Sequence, residues 1–365
     1  MSIQTRRARV PWPCALLLLL AWTVAAAWPG AAQNLAFLTD LPAGAVRVVD
    51  LSTSPPTVAA TVTVGMGPVG ISVHAETRRA YTANFQDATV SVLDAAQTPP
   101  AVVATVAVGA GPSGIAVSPA GDRVYVTNFD GGSLSVLDAT VMPPAVIATV
   151  PVGVKPDGVA VEADGSRVFV ADAQDPPGED STLFVLDATV TPPVVVDSVA
   201  VPREPHGIAL APGGQILLPS SDEGLLSIVD PDLGQVVDSV AVASGPYHLA
   251  VSPDGARAYV TSTDVASLTV VDLSTSPPAV VDAAAIASTS FGVDVSDDGS
   301  RVFVANAGDG SLTVLDATSI PLSTLWTVPV GTSPVAFGDF LLTPPVLFED
   351  GFESGDTSAW STRVP

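Results

Sequence analysis

The residues that usually carry chemistry are scarce in this 365-residue chain. It has one cysteine and three histidines, and it contains no G-x-S-x-G, H-E-x-x-H or G-x-x-x-x-G-K-[ST] motif. These absences argue against a serine-hydrolase elbow, a zinc metalloprotease helix and a P-loop. Cys14 lies in a segment that we expect to be removed, so the mature chain would have no disulfide, thiol nucleophile or cysteine-bound metal.

Basic and aromatic residues are also few. The chain has 13 Lys and Arg residues and 37 Asp and Glu residues, which gives a formal net charge of −24. Aromatic residues make up 5% of the chain. A field of this sign repels nucleic acid and anionic membrane surfaces, and few rings are available to stack on bases. We therefore expect no nucleic-acid partner.

The N-terminus is typical of a secretory signal peptide over residues 1–32. Arg6, Arg7 and Arg9 precede an apolar run over residues 14–27, and small residues follow it. An uncleaved membrane anchor is the alternative, but the run is shorter than the ~20 residues of a spanning helix. No other apolar stretch reaches that length. We expect an exported protein that is secreted, periplasmic or at the cell surface, with no membrane insertion after signal removal.

One sequence phrase recurs along the rest of the chain, and its third copy reads PSGIAVSPAGDRVYVTNFDGGSLSVLDATVMPPAVIATVPVG. The glycine of its P-x-G start, or the residue that replaces it, falls at Gly70, Gly114, Gly158, Gly207, His248, Gly292 and Ala336. The aspartate that follows its third apolar run falls at Asp50, Asp94, Asp138, Asp187, Asp230, Asp272 and Asp316. Both markers count seven copies.

Each copy contains four short runs of β-branched, aromatic and aliphatic residues bounded by Gly, Pro, Asp and Ser, which indicates four strands. Four strands in a repeat of this length are typical of a β-propeller blade. The first copy begins at its second strand, residues 35–40, and an extra first strand follows the seventh copy at residues 334–342. We predict an all-β, seven-bladed β-propeller over residues 33–343, with the first blade closed by the C-terminal strand. An open solenoid is the alternative.

The second strands resemble a known repeat family. They read RAYTAN, RVYVTN, RAYVTS and RVFVAN at residues 79–84, 123–128, 257–262 and 301–306. These segments resemble the YVTN family of β-propeller repeats over roughly residues 34–342. The resemblance implies the propeller fold and an exported protein of unclear role, and related seven-bladed propellers include lactonases. The tail over residues 344–365, with GFESGDTSAW, resembles short C-terminal segments of exported bacterial proteins. It is either a flexible or surface-packed tail or a segment for targeting or attachment.

Residues that recur in the repeats are interpreted as structural. The seven aspartates after the third strand are expected to cap turns through backbone N–H groups. A set of arginines at the start of the second strand is expected to connect neighbouring blades: Arg79, Arg123, Arg167, Arg257 and Arg301.

Residues that occur in a single repeat are free to serve function. The residue before the repeated glycine varies around the predicted channel mouth: Val69, Ser113, Asp157, His206, Tyr247, Phe291 and Val335. His248 replaces the glycine itself. We select Asp157, His206, Tyr247 and His248 as ligand-binding candidates, because concave mouths with a few converging polar groups are the usual ligand sites. The alternative is that both histidines only satisfy loop backbone groups, since two histidines are weak evidence for a metal.

The fourth repeat carries an acidic insertion over residues 171–182. Asp172, Asp175, Glu179 and Asp180 supply the hard oxygen ligands that Ca²⁺ prefers, although their spacing does not match an EF-hand. A solvated acidic loop is the alternative, and we expect no cofactor other than a possible Ca²⁺.

Three functions stay open. The first is a non-catalytic binding or cell-surface scaffold, monomeric, with a protein or glycan partner at the cell surface. The second is a lactonase-like hydrolase in which Asp157, Glu204 or His206 acts as general base at the mouth. The third is a Ca²⁺-stabilised adhesion or matrix protein.

Overall fold

The structure is a computed structural model that describes residues 34–173, 180–287 and 289–343. In these ranges the chain forms seven antiparallel sheets, each based on four strands, so the predicted seven-bladed β-propeller is confirmed. The predicted signal peptide over residues 1–32 and the tail over residues 344–365 lie outside the described residues. None of the helices found within those ranges has the length and hydropathy needed to cross a membrane.

The strands follow one another blade by blade. Blade 1 contains β1 (Leu35–Asp40), β2 (Ala45–Asp50) and β3 (Thr57–Thr63), and blade 2 contains β4 (Pro68–His74), β5 (Arg79–Asn84), β6 (Thr89–Asp94) and β7 (Ala101–Ala107). Blade 3 contains β8 (Pro112–Val117), β9 (Arg123–Asn128), β10 (Ser133–Asp138) and β11 (Ala145–Pro151), and blade 4 contains β12 (Pro156–Val161), β13 (Arg167–Asp172), β14 (Ser181–Asp187) and β15 (Val194–Val201).

The remaining blades repeat this order. Blade 5 contains β16 (Ala209–Leu210), β17 (Ile216–Ser220), β18 (Leu225–Asp230) and β19 (Gln235–Ala241), and blade 6 contains β20 (Pro246–Val251), β21 (Arg257–Ser262), β22 (Ser267–Asp272) and β23 (Ala279–Ala285). Blade 7 contains β24 (Ser290–Val295), β25 (Arg301–Asn306), β26 (Ser311–Asp316) and β27 (Ser323–Pro329). Two short strands, β28 (Pro334–Val335) and β29 (Leu341–Leu342), return to blade 1, and a single 3-10 turn, Leu41–Ala43, joins β1 to β2.

Burial explains the sequence pattern of the strands. The second and third strands of each blade are covered on both faces by neighbouring blades, so β9 and β10 are buried along almost their whole length. Such strands appear in the sequence as continuous apolar runs. The fourth strands form the rim, and β11 alternates between exposed and half-buried residues. The core is therefore divided among the contacts between adjacent blades.

The recurring aspartates act as predicted. In all seven blades the carboxylate after the third strand accepts a hydrogen bond from the backbone N–H two residues later, as Asp138 does from Thr140 at 2.9 Å. The prediction for the arginines holds in part. Arg167 reaches Asp232 of the next blade at 2.7 Å, whereas Arg123 contacts Asp122 and Asp138 in its own blade.

The two ends of the propeller chain meet in blade 1. β1 pairs antiparallel with both C-terminal strands, Thr39 lying opposite Val335 and Leu35 opposite Leu342. Asp40 is fully buried and accepts hydrogen bonds from the backbone N–H groups of Thr332 and Ser333. The predicted closure of blade 1 by the C-terminal strand is therefore confirmed.

The closing strand differs from the prediction in one respect. It is interrupted over residues 336–340, which we call the crossing segment. There Phe340 still accepts a backbone hydrogen bond from Phe37 of β1, but the carbonyl group of Phe337 accepts one from the backbone N–H of Ile71 in blade 2. Gly338 has a φ of +107°, a value that strongly favours glycine. The crossing segment therefore enters the central channel instead of following its wall.

Candidate functional site

The P-x-G loops form the channel mouth because the innermost strands of neighbouring blades approach closely there. A Cβ atom added to Gly114 would lie 2.1 Å from the backbone oxygen of Asp157, so only glycine fits at this position. The residue before each glycine is thereby placed next to its counterpart in the next blade. This arrangement brings together side chains that are more than 40 residues apart in sequence, such as Ser113 and Asp157.

Asp157 is the centre of the polar part of the mouth. Its side chain is almost fully buried; Oδ1 accepts a hydrogen bond from the Ser113 hydroxyl at 2.5 Å and Oδ2 contacts Nδ1 of His206 at 2.9 Å. The backbone oxygen of Asp157 accepts a further bond from Thr127 at 2.6 Å. These contacts fix the carboxylate in one orientation toward His206.

The geometry assigns the hydrogen on His206. A carboxylate only accepts hydrogen bonds, so Nδ1 of His206 carries the hydrogen and Nε2 is the acceptor in the neutral ring. Nε2 makes no hydrogen bond with any residue in the described ranges, and the side chain is 17% exposed. His206 therefore presents an oriented basic nitrogen to the mouth.

Several aromatic side chains line the mouth beyond His206. Tyr247 stacks on the His206 ring with centroids 4.2 Å apart, and it meets Phe291 edge-on at 5.1 Å. Phe337 of the crossing segment lies 5.3 Å from Tyr247. Burial, with the charges of Asp157 and Glu204, raises the pKa of Tyr247, so its hydroxyl stays protonated.

His248 lies deeper than the other candidates and faces the channel axis. It is 7% exposed, and its Nε2 accepts a hydrogen bond of 3.1 Å from the backbone N–H of Gly338. Burial lowers the pKa of His248 to about 4, so the ring is neutral at physiological pH. Because Nε2 accepts, Nδ1 carries the hydrogen, and this buried N–H has no hydrogen-bond partner among the described residues.

The crossing segment separates two spaces in the channel. A small cavity of about 30 Å³ lies at the mouth, between Asp157, His206, Tyr247 and Phe337. A larger cavity of about 260 Å³, which we call the lower channel, lies on the other side of Gly338 and is bordered by Asp294 and Asp339. His248 and Gly338 line both spaces.

Two basic residues of the mouth loops, Lys155 and Arg203, are engaged by other groups. Nζ of Lys155 lies 4.5 Å from the centre of the Phe129 ring. Arg203 pairs with Asp222 at 3.2 Å and with Glu223 at 3.3 Å. The mouth therefore has a carboxylate at its centre and no unengaged cation from these loops.

The structure brings together all four predicted mouth residues and adds three that were not selected. Ser113 and Phe291 belong to the variable ring that the sequence analysis identified, so comparing the repeats could have found them. Phe337 could not have been found in this way, because it depends on the interruption of the closing strand.

The acidic insertion is described only in part. The Asp172 carboxylate accepts hydrogen bonds from the backbone N–H groups of Val154 and Lys155 at 2.9 and 2.6 Å. Asp180 is exposed, while Asp175 and Glu179 lie outside the described residues. Within the described ranges, no group of three or more His, Cys, Asp or Glu side chains is placed to hold a metal ion. The Ca²⁺ site stays a prediction.

Comparisons with known proteins support the fold. A protein from Bacteroides uniformis, provisionally assigned as a 6-phosphogluconolactonase, is 16% identical, with a TM-score of 0.71 over 83% of this chain and 98% of its own. A protein of unknown function from Desulfotomaculum acetoxidans is 13% identical, with a TM-score of 0.70 over 85% of this chain and 99% of its own.

A second provisional 6-phosphogluconolactonase, from Bacteroides fragilis, is 15% identical, with a TM-score of 0.69 over 84% of this chain and 97% of its own. No protein-family model matches the chain, and no curated protein matches it. Likeness at this level of identity concerns the fold alone. The chain is a seven-bladed β-propeller similar in architecture to these proteins.

Proposed function

We propose that this protein is an exported binding module that holds a neutral, hydroxylated ring compound, such as a sugar, against the outer side of the channel mouth without transforming it, since the cavity of about 30 Å³ at the mouth has room only for water. The observation that supports this is the unbroken series of contacts from Ser113 through Asp157 and His206 to Tyr247. Polar acceptors beside partly exposed rings suit a ligand that has hydroxyl groups and an apolar face.

The charged residues around the mouth support a ligand that carries no phosphate group. Lys155 and Arg203 are engaged by Phe129 and by two carboxylates, and Asp157 and Glu204 add negative charge near Tyr247. A phosphorylated ligand would have to displace those pairs against the field of an acidic chain. We therefore expect this chain to bind a different class of ligand from the phosphosugar lactone that appears in the provisional names of two structural neighbours.

Binding of neutral sugars tests the proposal. Glucose, galactose and their disaccharides should give heat on titration into the purified chain, and His206→Ala should weaken the affinity at least ~10-fold. His74→Ala is the matched control, because His74 bonds to Thr77 and Pro119 away from the mouth. Absence of binding to any neutral sugar, or equal binding by both variants, would contradict the proposal.

A lactonase-like hydrolase is the second candidate, and the Asp157–His206 pair favours it. Nε2 of His206 would take a proton from a water molecule as that water forms a bond to the lactone carbonyl carbon. The ring C–O bond then breaks, and the proton passes from His206 to the leaving alkoxide to give a hydroxy acid. Gluconolactone hydrolysis above the spontaneous rate, lost in His206→Ala and reduced in Asp157→Asn, would favour this candidate over simple binding.

The remaining assignments rest on the sequence. The basic and apolar N-terminus supports export to the periplasm, the cell surface or the medium, and the RVYVTN-type strands support membership in the YVTN repeat family. A monomer with a glycan partner is consistent with these features. A Ca²⁺-stabilised adhesion protein stays a third proposal, supported by the acidic residues of the blade-4 insertion.

A further inference from the structure

One backbone hydrogen bond is repeated in all seven blades beside the channel mouth. The residue that follows the second strand donates its N–H to a carbonyl group of the loop that leads into the first strand of the same blade. This bond fixes the residue next to the P-x-G loop, on the face where the mouth opens. The residues placed in this way are Leu41, Phe85, Phe129, Ala173, Ser221, Thr263 and Ala307.

Aromatic residues occupy this position in blades 2 and 3. In the other five blades the position holds a small or aliphatic residue, so an aromatic ring is not needed to build a blade. Phe85 and Phe129 are both partly exposed, and their ring centroids are 6.2 Å apart at an interplanar angle of 52°. We call these two rings the aromatic platform. By comparison of the repeats, the platform is free to serve function.

Exposed apolar side chains flank the aromatic platform. Met66, whose carbonyl group accepts a hydrogen bond from the N–H of Gln86, is 59% exposed, and Val154, which precedes Lys155, is 60% exposed. Exposed apolar surface concentrated in one place marks an interaction site. Four side chains are too few for a protein interface of about 800 Å² per partner, but they suit the face of a single ring. Residues at the same loop position in four other copies are smaller or polar: Ala110, Arg203, Ser244 and Thr332.

Lys155 adds a polar group to the aromatic platform. Its Nζ lies 4.5 Å from the centre of the Phe129 ring and makes no hydrogen bond or ion pair with a residue in the described ranges. The contact with the ring holds the ammonium group in place, and its N–H groups can donate to a ligand. An apolar surface beside a positioned hydrogen-bond donor is the combination found in small-molecule sites.

Two loops connect the aromatic platform to the mouth. Gly111, which accepts the Phe129 N–H at 2.8 Å, is two residues before Ser113, and Lys155 is two residues before Asp157. Two residues of extended chain span at most about 7 Å. The platform and the Ser113–Asp157 pair are therefore neighbours on one face, and a ligand held on the outer side of the mouth can extend over the platform.

We propose that the ligand of the mouth is an oligosaccharide and that the aromatic platform is a second subsite, which binds another of its sugar rings. That ring packs its apolar face on Phe85 and Phe129, and one of its hydroxyl oxygens accepts a hydrogen bond from Nζ of Lys155. The inference rests on the proposed function, because it names the ligand class of the same site. A single sugar occupies one subsite, so the affinity should increase with chain length.

Calorimetric titration with glucose, maltotriose and cellotriose tests this dependence on chain length. At least one trisaccharide should bind the wild type at least ~10-fold more tightly than glucose. Phe129→Ala, and Phe129→Leu, which keeps an apolar side chain without the ring, should both remove this difference and leave the affinity for glucose unchanged. Leu41→Ala is the matched control, because Leu41 has the same repeat position and backbone bond in blade 1. Melting temperatures confirm that the variants are folded.

Lys155 provides a second measurement, because it is the only lysine in the chain. Reductive methylation with ¹³C-formaldehyde keeps its charge and labels Lys155 and the α-amino group alone. In the NMR spectrum, a trisaccharide should shift the Lys155 signal of the wild type and shift it less in Phe129→Leu. A Lys155 signal that the tightest-binding trisaccharide leaves in place would contradict the proposal.

Four calorimetric or association results would also overturn it. They are equal affinity for glucose and both trisaccharides, a chain-length difference that Phe129→Ala leaves intact, an equal loss in Leu41→Ala, and a dimer of the chain that Phe129→Ala dissociates, which would assign the platform to self-association.

Failure of the mouth proposal has a different signature. In that case His206→Ala leaves the affinity for glucose unchanged, while the effect of Phe129→Ala on the trisaccharides persists. Conversely, if His206→Ala weakens all three sugars but chain length has no effect, the mouth binds sugar and the platform does not.

Discussion

The backbone N–H of Gly338 donates a hydrogen bond of 3.1 Å to Nε2 of His248, which joins the segment that closes blade 1 to the innermost strand of blade 6. This single bond crosses the channel, and it also sets which nitrogen of His248 carries the hydrogen. His248 and Gly338 are also among the residues that line both channel spaces.

Replacing His248 by leucine should destabilise the propeller. The change introduces an apolar side chain and leaves the Gly338 N–H without an acceptor, which costs about 1–3 kcal/mol; it also removes the unpaired Nδ1–H of His248, which offsets part of that loss. The free energy of unfolding in urea measures this loss. His74→Leu, which removes a histidine with exposed contacts, should cost less, and an equal or larger loss there would contradict the role given to His248.

Gly338→Ala should cost more than an ordinary glycine substitution. At a φ of +107° a side chain is strained, and the new Cβ would lie 2.5 Å from the backbone oxygen of Ile71. We expect a loss of at least ~1–2 kcal/mol in the free energy of unfolding. Gly165→Ala is the control, since Gly165 has a φ of +76° and open space around its Cβ. Similar losses for the two variants would show that the close approach has no energetic consequence.

Asp294 and Asp339, which border the lower channel, should make the free energy of unfolding fall as the pH rises. In the unfolded chain both groups ionise near pH 4, while in the folded chain burial raises their pKa values, that of Asp294 to about 8 together with the charge of Asp339. The folded state therefore binds protons more strongly over this window, and the free energy of unfolding decreases from about pH 4 to pH 8.

Asp339→Asn isolates this effect. The variant removes the repelling charge, so its melting temperature should exceed that of the wild type by at least ~2 °C near pH 8, and the two should converge near pH 4. Melting curves across this range, with Glu76→Gln, which changes an exposed carboxylate, as control, measure the difference. A wild type that is more stable than Asp339→Asn near pH 8 would be inconsistent with the repulsion.

Asp40 should be important for closing the ring. It is buried, pairs with Arg47 at 2.7 Å, and accepts hydrogen bonds from the backbone of Thr332 and Ser333. Asp40→Ala leaves these donors unpaired and should lower the free energy of unfolding by about 3–5 kcal/mol. Asp138→Ala, which removes an exposed turn cap, should cost about 1 kcal/mol or less. If the two variants lose the same free energy of unfolding, Asp40 contributes no more to stability than a turn cap does.

Much of the fold could be predicted from the sequence, because the same pattern of strands and turns recurs in all seven copies of the repeat. The P-x-G loop, the turn-capping aspartate and the apolar second and third strands each follow from local chemistry. Comparison of the repeats also selected Asp157, His206 and Tyr247, since substitutions at a position that faces the mouth need not serve the blade.

The channel interior could not be predicted in the same way. The crossing segment looks like an ordinary strand in PVAFGDFLL, and the structure shows that it contacts Ile71 of the neighbouring blade 2 and His248 of blade 6. Asp294 was detectable in principle, as the only acidic residue among small ones at its repeat position. Only the structure shows that Asp294 borders the same cavity as Asp339.

Closure of blade 1 also constrains when the protein can fold. The Asp40 carboxylate and the Thr332 N–H that it accepts are 292 residues apart in sequence. A chain that emerges from its N-terminus can form blades 2 to 7 in order, but blade 1 must wait until residues 334–342 are free. The ring is thus completed only after residues 334–342 have been synthesised, so the finished channel forms late in folding.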